Sequence, residues 1–289
     1  MRRVVGVVGL GMLTWVLVAP GAMTVADATA AGDLVRQART CYDRWSGPFD
    51  FDGYEASLRS AIALWEQALP LLPEAAIQSR SETLNSLSRA YFELAEGYLA
   101  DPCEREAAYE AGKDAALASL RLDPVVVETE AREGFRASLR ATSDVAAVFW
   151  YGNNIGQWLN YHLEIALSGG VSDVAASFER SVELDERYSG GGPQRALGLL
   201  LARAYFVVGR QHEDAVLHFE RAIELDPTYL ETRVSYAEHY ARPTRDRELY
   251  DRLLDGVLAD ALDPEIMAAH PFYNHRAMNR AGTLAAYEW

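Results

Sequence analysis

The stretch from Gly198 to Pro227 reads GLLLARAYFVVGRQHEDAVLHFERAIELDP. Its apolar residues recur in steps of three and four, the period of a helix with one buried face. Leu201, Ala202 and Tyr205 fall on a first helix, and Gly209 falls in a turn. Ala215, Phe219 and Ala222 fall on a second helix that ends at Leu225-Asp226-Pro227. Size matching gives the pattern its logic. The alanines let two helices approach closely, while Tyr205 and Phe219 fill the gap between neighbours.

Working outward, the ending of this unit recurs as Leu120-Arg121-Leu122-Asp123-Pro124 and as Val182-Glu183-Leu184-Asp185, with Leu69-Pro70-Leu71-Leu72-Pro73 as a weaker version. Phe178-Glu179-Arg180-Ser181 and Phe219-Glu220-Arg221-Ala222 precede two of the endings. The unit resembles a tetratricopeptide repeat. Its endings, at 73, 123, 185 and 226, are spaced by 50, 62 and 41 residues, against about 34 in a regular array. The repeats are therefore irregular, with helices inserted between them.

Helical periodicity covers the remaining segments: Leu58, Ile62, Trp65, Leu69; Leu84, Leu87, Tyr91, Leu94; Val174, Phe178, Val182. Asp-Pro pairs at 101–102, 123–124, 226–227 and 263–264 read as helix starts. The Asp accepts bonds from free N–H groups, and Pro loses nothing at the first helical position. From Asp33 onward no strand alternation and no Asn-Gly pair occurs, and neither Asp-Gly pair (52–53 and 255–256) has the flanking alternation of a hairpin turn. The expectation is an all-α chain of irregular helical-hairpin repeats, stacked into a compact solenoid as one domain over residues 31–289.

The N-terminus has a different character. Arg2 and Arg3 precede an apolar run from Val4 to Val18, then Pro20-Gly21 and the small-residue patterns Ala26-Asp27-Ala28 and Ala28-Thr29-Ala30. These features describe a secretory signal peptide over 1–28, cleaved after residue 28 or 30. The run is short of the ~20 residues that a membrane span needs. No Cys precedes Cys41, so the signal ends without a lipidation site. The expectation is an exported, periplasmic protein with no membrane anchor in its mature form. In that compartment Cys41 and Cys103 either form a disulfide or remain two free thiols. A bridge across that separation would stabilise by about 4 kcal/mol.

Charge and composition exclude several functions. With 42 acidic against 27 basic residues the net charge is -15, which is wrong for a nucleic-acid binder or an anionic-lipid anchor. All the basic residues except Lys113 are arginine. The six histidines form no H-E-x-x-H or Cys/His pattern, and no G-x-S-x-G occurs. The Ser189–Pro193 glycine run lacks the Lys and the preceding strand of a phosphate loop. The reading is of a non-enzymatic protein without metal or cofactor.

Two segments stand apart from the repeats. In Phe149-Trp150-Tyr151-Gly152-Asn153-Asn154-Ile155-Gly156-Gln157-Trp158, continuing to Tyr161, a helix would place Trp150, Asn154, Trp158 and Tyr161 near one stripe. Gly152 and Gly156 would form a notch for a neighbouring helix, since glycine costs about 1 kcal/mol in a helix interior without such a use. In Tyr188-Ser189-Gly190-Gly191-Gly192-Pro193-Gln194-Arg195, glycines free the backbone before Pro193 opens a helix. Arg195 then sits in a first turn, against the helix dipole, where a carboxylate of the protein or of a ligand would pair with it.

These segments, in this order, resemble the T-component family of tripartite ATP-independent periplasmic (TRAP) transporters, usually called TatT. The resemblance continues through Leu217–Leu225, Tyr229–Glu238 and Arg245–Tyr250. It implies a periplasmic helical protein that partners the solute-binding protein of a TRAP transporter, with trimers among its members and an apolar channel for a small hydrophobic ligand; the position of Arg195 adds a carboxylate ligand as the alternative. Carried onto this chain, Trp150, Asn153, Asn154, Trp158, Tyr188 and Arg195 become the candidate channel lining. The competing reading is a general tetratricopeptide scaffold for protein–protein interaction in the cell envelope.

Overall fold

The computed structural model describes residues 25–44 and 49–286. Most of the expected leader, residues 1–24, lies outside them, and residues 25–30 form the start of the first helix. Among the described residues every regular element is helical. In chain order they are α1 (Val25–Tyr42), α2 (Phe51–Ala68), α3 (Ile77–Gly97), α4 (Pro102–Leu120), α5 (Pro124–Glu133), α6 (Phe135–Ser138), α7 (Val145–Trp158) and α8 (Leu163–Ile165). There follow α9 (Val171–Asp185), α10 (Tyr188–Ala204), α11 (Asp214–Leu225), α12 (Glu231–Tyr236), α13 (Arg242–Thr244), α14 (Arg247–Asp260), α15 (Pro264–Ala269) and α16 (Pro271–Ala285). Wide π turns at Ala166–Gly170 and Ala237–Ala241 lead into α9 and α13.

Three of the four Asp-Pro pairs open helices as expected. The Asp101 carboxylate accepts from the N–H groups of Cys103 and Glu104, Asp123 from that of Val125, and Asp263 from that of Glu265. Asp226 differs: its carboxylate bonds the Thr228 N–H and hydroxyl and His270, and the next helix waits until Glu231. The 198–227 unit pairs α10 with α11. Gly198 faces Phe219 so closely that a Cβ there would lie 3.0 Å from the ring, and Ala215 and Ala222 are fully buried. Tyr205 departs from expectation. α10 ends at Ala204, Tyr205 lies outside the core, and Tyr236 stacks on Phe219 instead, with ring centroids 4.9 Å apart.

α1 packs on α2 and α3 on α4, and α7 lies between α4 and α9. One apolar cluster runs from α1 to α10 and takes in Tyr229, Phe272 and Tyr273; a second is built from α10 to α16. The last helix returns to the beginning of the chain. Glu93 on α3, with no exposed surface, accepts bonds from the hydroxyls of Tyr42 (2.7 Å) and Tyr273 (2.8 Å) and from Arg89 (2.8 Å). Phe272 stacks on Phe51 at 5.6 Å. Such a carboxylate is tolerable only because each bond compensates lost hydration.

Cys41 is half-buried on α1 and Cys103 is exposed in the first turn of α4, and both are free thiols. The two thiols lie on helices with different main neighbours, α1 packing on α2 and α4 on α3 and α7.

Candidate functional site

α7 is the element around which the site is built. Asp144 caps it by accepting from the Ala147 N–H, and is itself held by Ser81 and Asn85 of α3. On the face toward α9, a Cβ at Gly152 would approach Phe178 to 2.7 Å, so glycine there permits the helices to touch. One turn later the contact relaxes: a Cβ at Gly156 would meet Val174 at an ordinary 3.6 Å. The space so left between α7, α9 and α10 is an apolar cavity of about 350 Å³, walled by Leu159, Val174, Phe178, Ala196, Leu200 and Val207. That volume falls in the range of small-molecule sites.

Its rim is unusually apolar. Leu163, Leu167 and Phe206 line it while keeping 67%, 68% and 70% of their surface exposed. Phe206 lies two residues beyond the end of α10 at Ala204. Clustered apolar side chains left in water mark a binding surface more often than isolated ones do.

A second, charged cavity of about 100 Å³ abuts the first, lined by Trp150, Arg195, Tyr229, Glu231, His239 and Arg276 among others. Asn153, Gln157, Ala196, Leu199 and Arg203 line both. Two arginines of α16 dominate its far wall. Arg276 pairs with Glu96 and, at 2.7 Å, with Glu231; Arg280 pairs with Glu231 and Glu238. Arg276 holds the Glu96 carboxyl below the usual carboxylate range in spite of burial. Burial pushes His239 down to about 4, overcoming the adjacent Glu238, so its imidazole is neutral at neutral pH.

Arg195 is different. Its guanidinium lies 4.0 Å from the centre of the Tyr229 ring, its Nη1 reaches the Gly190 carbonyl at 3.3 Å, and no carboxylate pairs with it among the described residues. The backbone before it takes the left-handed conformation expected of the glycine run, with φ of 62° at Gly190 and 70° at Gly191, and also 51° at Ser189. A Cβ at Gly190 would strike Tyr229 at 2.4 Å. The glycines thus bring Arg195 and Tyr229 together.

The structure divides the six candidate residues. Trp150, Asn153 and Arg195 line the charged cavity, and Asn153 the apolar one as well. Asn154, Trp158 and Tyr188 line neither. Asn154 is fully buried, donating to the Ser88 carbonyl and hydroxyl and to the Trp150 carbonyl, with its amide filling the space beside Gly112. Trp158 stacks on His162 at 3.7 Å beneath the Lys113 ammonium. Tyr188 accepts the indole N–H of Trp150 at 3.0 Å. Sequence reasoning missed the apolar walls, Val174, Phe178, Leu200 and Phe206. The available signal was Gly156, a second glycine on the face that Gly152 uses for contact.

Among the described residues no group of His, Cys, Asp and Glu is placed to hold a metal ion, and no helix is long and apolar enough to cross a membrane. Fold and site together define an all-α protein of packed helices enclosing an apolar chamber beside a charged one. The sequence model of the TRAP transporter T-component family matches residues 107–288, which include every helix of both chambers except α3. The chain belongs to that family, the accessory components of TRAP transporters. No curated protein matches the chain.

Proposed function

We propose that this protein is a non-enzymatic periplasmic accessory of a TRAP transporter, holding a small apolar ligand between α7, α9 and α10 and docking a solute-binding protein at the chamber's mouth. On this reading the leader is removed at residue 28 or 30. The observation that carries it is the apolar cavity of about 350 Å³ with its exposed rim of Leu163, Leu167 and Phe206. An apolar ligand leaving water for those walls gains about 25 cal/mol per Å² of surface buried. The rim gives a partner something to cover while the ligand passes. A pull-down from periplasmic extract with the mature protein tests it. Recovery of a solute-binding protein, lost when Leu163 and Phe206 are both changed to Ser, is the expected outcome. Capture unaffected by the double change, or capture only of unrelated proteins as by a general repeat scaffold, contradicts it.

A further inference from the structure

The charged chamber contains two arginines that form no ion pair among the described residues. Arg276 and Arg280 are committed to Glu96, Glu231 and Glu238. Arg195 has only the long bond to Gly190 and the Tyr229 ring, and Arg203 donates to the side-chain oxygen of Asn160 at 3.0 Å. Neither meets a carboxylate among the described residues. The second observation is independent of charge. Tyr229 lines the same chamber, is 98% buried, and its hydroxyl has no hydrogen-bond partner among the described residues. A buried hydroxyl without a partner is costly unless something else fills that role.

We infer that the charged chamber takes the carboxylate of an amphiphilic ligand, with Arg195 and the Tyr229 hydroxyl as donors and the apolar tail in the neighbouring chamber. This rests on the reading that the apolar chamber holds a ligand. Size supports the division, since the charged space is less than a third of the apolar one. The two abut along Asn153 and Gln157 of α7 and Ala196, Leu199 and Arg203 of α10. Tyr229 suits the donor role because burial pushes its hydroxyl up to about 12, which keeps the proton on. Guanidinium and phenol together satisfy the two oxygens of a carboxylate, and charge-assisted bonds of this kind are the strong ones. The opposite wall sets a limit on charge. Glu231 lines the chamber with one oxygen bonded to both α16 arginines and the other without a partner among the described residues. A monoanion tolerates that neighbour better than a dianion, so a carboxylate is favoured over a phosphate.

The test compares three probes with one tail: decanoate, 1-decanol and decyl phosphate, measured by calorimetry on the mature full-length protein. The wild type binds decanoate about tenfold tighter than decanol, the usual worth of a charge-assisted bond. Arg195→Gln removes that advantage and leaves decanol binding unchanged. Tyr229→Phe deletes only the unpartnered hydroxyl, so it weakens decanoate binding without lowering the melting temperature, and it serves if the Arg195 variant fails to fold. Equal binding of acid and alcohol by the wild type overturns the headgroup assignment and leaves the apolar chamber standing. Failure of all three probes overturns the chamber reading as well. Decyl phosphate binding tighter than decanoate overturns the choice of carboxylate.

Discussion

On one side of the seam between α7 and α10 the walls are Val174, Phe178, Leu200 and Phe206; on the other they are Arg195, Glu231, His239 and Arg276. The apolar chamber is local, drawn wholly from residues 152–207. The charged chamber draws on α3, α7, α10, α12 and α16, and its ion pairs join residues as far apart as Glu96 and Arg276. The contrast separates two physical roles. A chamber assembled from neighbouring helices can be filled or opened with little consequence for the rest of the molecule. One assembled from both ends of the chain is part of what closes the fold, and disturbing it disturbs stability.

The largest effect should come from the closing side. Arg276→Ala leaves Glu96 and Glu231 each short of a buried partner, and should cost about 3 kcal/mol in urea unfolding. A loss comparable to that of an exposed substitution would break the comparison. Acid should weaken the same side. His239 titrates near 4 in the folded protein, held down chiefly by burial, and near 6.5 when unfolded. Between those values the unfolded chain binds more protons, so stability falls as pH drops through that window. Burial also lowers His218 and His270, with the same sign. His239→Gln should therefore flatten the melting temperature profile between about pH 6.5 and about pH 4, the unfolded and folded values, without abolishing the slope.

The local side should respond oppositely. Gly156→Leu directs a side chain into the apolar chamber from a position where a Cβ makes only ordinary contact. Helix propensity gains up to about 1 kcal/mol, so the variant should melt no lower than wild type while losing the tail site. Smallest in stability is Phe206→Ser on the exposed rim, expected within about 0.5 kcal/mol of wild type. In the pull-down it should nevertheless reduce capture of the partner.

Much of this architecture was legible in the sequence. Steps of three and four gave the helices, and the glycine pair on α7 and the glycine run before Pro193 were read for their backbone use. What escaped has physical causes. Asp226-Pro227 resembles a helix start, but Thr228 and His270 occupy the carboxylate and the helix is delayed. Tyr205 fits the repeat pattern, yet the helix that would have buried it ends at Ala204. On α7 a stripe of aromatic and amide residues cannot report which neighbour it meets. Asn154 and Trp158 turn to α3 and α4, while Asn153, the residue before Asn154, faces both chambers. Arg195 was visible as a charge set against its helix dipole, but Tyr229 and Glu231, which give it meaning, lie well beyond helical range in the chain.

Native mass spectrometry of the mature protein, purified from the periplasm without detergent, tests the central claim most directly. The account predicts that wild type carries a small-molecule adduct which dissociates on activation, and that Gly156→Leu, equally well folded, carries none. A wild-type protein found at its bare polypeptide mass, or an adduct that survives the Gly156→Leu change, would contradict the assignment of the chamber between α7, α9 and α10 as a ligand site.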